Sequence, residues 1–146
     1  MTIKDLLALE LGESVSVFNQ PFEYAGRSEV TLDDDAKVYW LFDDEDRMLS
    51  ISPDDDELVL FDRLEEEVEA DDSIFLHGKE YEFSYENAGK ITDVDGSAET
   101  EQEDRYLFTE HQSADGERLR IISNENSGEA MVYLGKTVSE DDLSEI

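Results

Sequence analysis

Any chemistry in this chain has to come from two histidines and a large excess of carboxylates, because there is no cysteine. Disulfides, thiolate zinc sites and cysteine nucleophiles are therefore excluded. His77 falls in a predicted turn and His111 at a strand end. Neither has the i,i+4 or His-x-His spacing that aims two imidazoles at one ion, so both read as ordinary surface residues. No G-x-S-x-G elbow is present, and no serine has a base and an orienting group at a recognisable spacing. "DVDGSAETE" (93–101) alternates the oxygen ligands Asp93, Asp95, Ser97 and Glu99 as calcium loops do. Its glycine is fourth rather than sixth, however, and Asp104 stands where position twelve needs a bidentate glutamate, so a solvated Asp-Gly turn is the better reading. With 41 acids, some pair always lies at a plausible acid/base separation, and pairing carries no signal. The expectation is a protein that is not an enzyme, with no catalytic residue, metal or cofactor assigned.

Where the acids fall is more informative. They run together at Asp33–Asp35, Asp43–Asp46, Asp54–Asp56 and Glu65–Glu67, and 41 acidic against 11 basic residues leave a net charge of −30. Nucleic acid is bound by neutralising phosphates with Lys and Arg, so this surface repels it, and the same argument disfavours an anionic membrane leaflet. A basic protein or a polycation is the partner such a surface fits. In the plain reading the runs are solvated turns that keep the chain soluble, or an adaptation to salt. In the functional reading they are partner-binding rims, with Asp33, Asp34, Asp35, Asp54, Asp55 and Asp56 at one end of a meander and Asp43, Asp44 and Asp46 at the other. An acidic nucleic-acid mimic is the sharper form of that idea, and a cation or polyamine binder is the alternative. Neighbours on a strand face opposite sides, so one of Tyr39 and Trp40 is expected outside, and Trp40 joins the contact candidates.

The elements that position these residues follow from period and punctuation. Thr2 caps a predicted helix over roughly 3–10, with Gly12 placed as its C′ glycine. "SVSVF" (14–18) and "FEYAG" (22–26) alternate as a hairpin about Asn19–Pro21. "KVYWLF" (37–42), "RMLSIS" (47–52) and "ELVLF" (57–61), separated by acidic turns, predict an antiparallel meander. "DRLEEEVEADD" (62–72) breaks the rhythm as an amphipathic helix or a solvated connection. The pattern then restarts with two strands in 73–92, a polar loop over 93–104 and strands at 105–112, 117–123 and 129–138, followed by a frayed tail or helical turn.

Tyr39 corresponds in rhythm to Tyr106, Leu49 and Ile51 to the region of Ile121, and "DELVLF" to "GEAMVYL". The expected fold is thus mainly β: two related antiparallel β-meanders packed as one compact domain, with a short N-terminal helix. The halves run from about 13–62 and 73–138, joined by an acidic connection over 63–72, and neither alone has enough core. Hydrophobic residues at 38% and aromatics at 10% are enough to build a core despite the charge. "MTIKDLLALELGE" carries Lys4, Asp5 and Glu10 through its apolar stretch, so the expected location is cytoplasmic, with no membrane insertion.

"LELGESVSV", "EYAG", "VYWLF", "IFLHGKEYEFSYENAGKIT", "RYLFTEHQ" and "ERLRIISNENSGEAMVYLGKTV" together resemble the bacterial domain-of-unknown-function family numbered 4178, over residues 9–138. Gly78 with Tyr81 matches the family's G-x-x-Y hairpin, Trp40 lies in its Trp-containing strand, and Glu129 with Gly135 is similar to its closing strand. Gly12–Glu13 replaces the family's Gly-Asp, and the acidic turns are longer. These motifs specify fold rather than activity, and the resemblance implies no catalytic residue. Through the settings of similar proteins it implies a link to membrane-stress or polyamine functions.

Overall fold

The computed structural model describes residues 2–98 and 100–145. Thr2 opens helix α1 (Ile3–Leu7): its Oγ1 accepts from the Asp5 amide at 3.3 Å, and Asp5 Oδ2 accepts from the Thr2 amide at 2.9 Å, a reciprocal capping box. The helix stops at Ala8, short of the expected span. Gly12 does not end it; at φ +91° it forms the approach to strand β1 (Ser14–Val17), and its N–H donates to the Tyr24 carbonyl at 2.8 Å.

Strand β1 turns into β2 (Gln20–Glu23) through Phe18 and Asn19, both at positive φ, the geometry that matches strand twist in a two-residue hairpin. The turn therefore precedes the expected Asn19–Pro21, and Pro21 sits in β2 opposite Ser16. Next comes β3 (Gly26–Leu32), which the sequence reading left unassigned, then β4 (Lys37–Phe42), β5 (Arg47–Ser52) and β6 (Glu57–Leu64), the predicted first meander. The second group is β7 (Ser73–Leu76), β8 (Lys79–Gly96), β9 (Arg105–Ser113), β10 (Arg118–Asn124) and β11 (Ala130–Val138). Strand β8 is far longer than expected and takes in Asp93–Gly96 from the predicted loop. The tail is ordered, because after a 3-10 turn at Glu140–Asp142 it forms β12 (Leu143–Glu145), paired antiparallel with β1.

Pairing closes a barrel. The order β3-β4-β5-β6-β11-β10-β9-β8 returns to its start through β3–β8, and every pairing around it is antiparallel. The two halves thus join through β3–β8 and, last strand to last, through β6–β11. Closure leaves no edge within the barrel for other chains to pair with. The start of β8, Lys79–Glu82, pairs with β7, and its end, Gly89–Gly96, with β3.

Burial explains why "VYWLF" is a continuous apolar run. Val38, Trp40 and Phe42 point into the barrel with Met48, Phe61, Tyr106, Phe108 and Tyr133. Leu41 on the opposite face packs with Leu49, Ile51 and Leu58 against Leu6, Val15, Phe22 and Leu143, so α1 and the β12-β1-β2 sheet blanket the outside of β4–β6. Ile74, Leu76 and Tyr81 likewise cover Leu119, Ile121 and Val132. The segment after β6 is a connection rather than a helix, with Leu64 and Val68 tucked against this third cluster. No helix among the described residues is long and apolar enough to cross a membrane.

Candidate functional site

The acidic turns separate by barrel end. Asp33–Asp35 and Asp54–Asp56 lie in the turns that lead into and follow β4–β5 on one side, while Asp43–Asp46 lies at the opposite end of the same strands. Asp33, Asp34, Asp35, Asp44, Asp46, Asp54, Asp55 and Asp56 are exposed. Asp33 already pairs with Arg105 at 2.9 Å.

Two candidates are corrected. Asp43 is buried: one carboxylate oxygen accepts from the amides of Glu45 and Arg47 at 2.9 Å, and the other pairs with Arg47 Nε at 2.7 Å. Arg47 in turn donates to the Pro21 carbonyl at 2.6 Å, so Asp43 ties the barrel to the outer sheet and is not offered to a partner. Trp40 is 0% exposed and meets Tyr106 and Phe108 edge-on inside the barrel. Its neighbour Tyr39 packs under the outer cluster, so the strand has no free outer aromatic. Tyr39 and Trp40 do face opposite ways, with Trp40 inside the barrel and Tyr39 partly buried against the outer cluster.

His77 is the surface residue expected, whereas His111 is not. His77 stands on the surface with Nε2 at 2.7 Å from Glu66. His111 is buried; its Nε2 lies 2.6 Å from the Asp71 carbonyl and its ring meets Phe83, which pins the connection between the meanders. Among the described residues no group of three or more His, Asp or Glu side chains could hold a metal ion. In the calcium-like stretch Asp93 and Asp95 lie in β8, and Glu99 falls outside the described residues.

A charged network that sequence reasoning did not single out runs through the barrel interior. Glu110, 0% exposed, accepts from Arg118 Nε at 2.9 Å and from Arg120 Nε at 2.6 Å. Arg118 reaches on to Glu57 at 3.0 Å. Arg120 donates to Ser50 Oγ at 2.8 Å and to the Tyr85 hydroxyl at 3.4 Å, while its guanidinium lies over the rings of Phe61 and Phe108. Burial opposes the charge on Arg120, yet Glu110 beside it leaves its pKa raised. Burial pushes the Tyr85 phenol up as well, against the pull of Arg120. The available signal was "RLRIIS" itself, because a strand with Arg118 and Arg120 in phase with Ile122 needs a buried acid at matching register, and Glu110 supplies it opposite Arg120.

This network forms one wall of a cavity of about 250 Å³ at the end that carries Asp55. Trp40, Phe108, Leu32 and Val38 make its apolar sides, and Ser50, Tyr85 and Arg120 its polar one. Asp55, Glu57 and Glu86 lie towards the opening.

Fold and site together define a closed antiparallel β-barrel with a charged interior, a small mouth cavity and acidic end turns. Family models, curated proteins and solved structures give no match to this chain.

Proposed function

We propose that this protein is a non-enzymatic interaction module that docks a basic protein partner on the carboxylates at the cavity end of its barrel. The observation that carries this reading is the placement of Asp34, Asp35, Asp54, Asp55 and Asp56, exposed together on turns at one end of rigid, paired strands. Charges held on short turns keep their spacing, which favours steering and register over mere attraction. The net charge of −30 supports a basic partner and opposes nucleic acid. Likeness to the family numbered 4178 adds a link to membrane-stress or polyamine functions, and a cytoplasmic setting belongs to the same proposal.

The test compares two variants in a pull-down at low and high salt. One carries Asp54→Asn, Asp55→Asn and Asp56→Asn; the other carries Asp44→Asn and Asp46→Asn at the opposite end. Capture of a basic protein lost with the first variant and kept with the second supports the reading. Equal loss with both, or with neither, overturns it. Asp55 lies beside the aromatic walls of the cavity, which favours a polyamine as the second reading. A thermal midpoint raised selectively by spermidine, against sodium chloride at matched ionic strength, would establish that alternative.

A further inference from the structure

We propose that the barrel mouth is a binding site for a small aminocarboxylate, its carboxylate directed inward to Arg120 and its ammonium outward to the rim. This site shares Asp55 with the surface proposed to dock a protein partner, but takes its ligand inside the barrel mouth and does not rest on that docking.

Hydrogen-bond supply inside the cavity is one-sided. Ser50 Oγ and the Tyr85 oxygen both accept from Arg120, so each directs its own proton away from the guanidinium. Trp40, 0% exposed and part of the same wall, has an indole N–H with no acceptor among the described residues. The Tyr85 hydroxyl, like any phenol, is a donor at neutral pH. Guanidinium and two hydroxyls therefore line one wall of the cavity; of its carboxylates, Glu57 is held by Arg118, and Asp55 and Glu86 are exposed. A buried donor left without a partner costs about 1–3 kcal/mol, so an oxygen-rich ligand end is the complement.

Charge placement selects the rest of the ligand. Beyond its bonds to Ser50 and Tyr85, Arg120 keeps one further N–H on each terminal nitrogen, and guanidinium is the side chain best shaped for a carboxylate. Further out the sign reverses: Asp55 and Glu86 are exposed at the opening, where they repel a second carboxylate and accept an ammonium. Between the two ends Trp40 and Phe108, packed edge to face with centroids 5.5 Å apart, form an apolar wall beside which a methylene body would lie. At about 250 Å³ the space lies below the roughly 300–1,000 Å³ usual for drug-sized ligands. A short amino acid fits these terms, whereas a peptide or nucleotide does not.

Trp40 is the sole tryptophan, so its emission reports the cavity directly. The full chain is titrated with γ-aminobutyrate, ε-aminocaproate, caproate and cadaverine at matched ionic strength. The expected result is a saturable change with at least one aminocarboxylate, and weaker binding of caproate and cadaverine. Tyr85→Phe should weaken the aminocarboxylate about tenfold or more while the chain still unfolds cooperatively, the scale of one hydrogen bond to a charged group. Asp55→Asn should weaken it too while leaving caproate bound as well or better, a split that a structural role for Asp55 would not produce. No saturable response to any probe, or tighter binding of cadaverine than of either aminocarboxylate, would overturn the proposal. So would an aminocarboxylate response unchanged in Tyr85→Phe.

Discussion

Arg120 and Glu110 meet at 2.6 Å inside the barrel, with side-chain exposures of 2% and 0%. A pair so placed is costly to desolvate but far costlier to break, since the survivor is left as an uncompensated buried charge. Glu110→Ala strands the Arg120 guanidinium, while Arg118 keeps Glu57 at 3.0 Å, and should cost about 3–5 kcal/mol in urea unfolding. The double variant Glu110→Leu with Arg120→Met should recover much of that loss. A double variant no more stable than the single one would show that the pair is not energetically coupled.

Gly135 sits where β11 crosses the Phe61 side chain. A Cβ there would lie 2.5 Å from Phe61 Cδ1 and 2.6 Å from the Leu60 carbonyl oxygen. Backbone on one side and a packed ring on the other cannot yield cheaply. Gly135→Ala should cost about 1–3 kcal/mol, read as a lower denaturant midpoint. Phe61→Leu in the same chain should relieve part of the clash.

Leu143, in the last strand, is 4% exposed among Leu6, Val15 and Phe22. Leu143→Ala should lower stability by about 2–4 kcal/mol, within the range for truncated core leucines. Hydrogen exchange should quicken in β1, which pairs Val17 with Leu143. A neutral effect would return the tail to the frayed end that the sequence reading expects.

Lys79 donates to Asp115 at 2.8 Å, and with the Ser113 hydroxyl this holds the Asp115 carboxyl down at about 2 against its usual 3.8. A depressed carboxyl stabilises the fold above its unfolded pKa and loses that contribution as pH falls through the folded one. The contribution is therefore complete above about pH 4 and fades towards pH 2. Carbon-detected NMR titration should give a midpoint near 2, moving upward in Lys79→Met.

Much of the fold is legible along the chain because alternation and turn chemistry are local. Thr2 with Asp5 announces the helix start, and the acidic turns punctuate β4, β5 and β6 where the period breaks. Strand β3 escapes because only Val30 and Leu32 along it are large apolar residues; Gly26 and Ser28 fill the same face without an apolar signal. The Gly12 and Pro21 assignments fail for a related reason: a C′ glycine or a turn proline looks the same as one serving a strand.

The candidate site was less legible. Acid runs mark the exposed Asp34, Asp35, Asp54, Asp55 and Asp56, yet nothing in "DDED" says that Asp43 turns back onto Arg47. Trp40 illustrates the limit most clearly, since alternation requires Tyr39 and Trp40 to face opposite ways but is silent on what lies over each face.

The sequence by itself determined a mainly β chain with a short capped helix, acidic turns and no thiol chemistry, because period, composition and turn propensity act over a few residues. Only the tertiary structure decided that the meanders close through β3–β8 and β6–β11, that Glu110 serves Arg118 and Arg120, and that Trp40 walls a cavity. Each of those depends on register between segments far apart in the chain, such as Ser50 with Arg120 or Leu58 with Val138. Distant partners are selected by burial and charge compensation once the barrel has closed, and no local pattern encodes that choice.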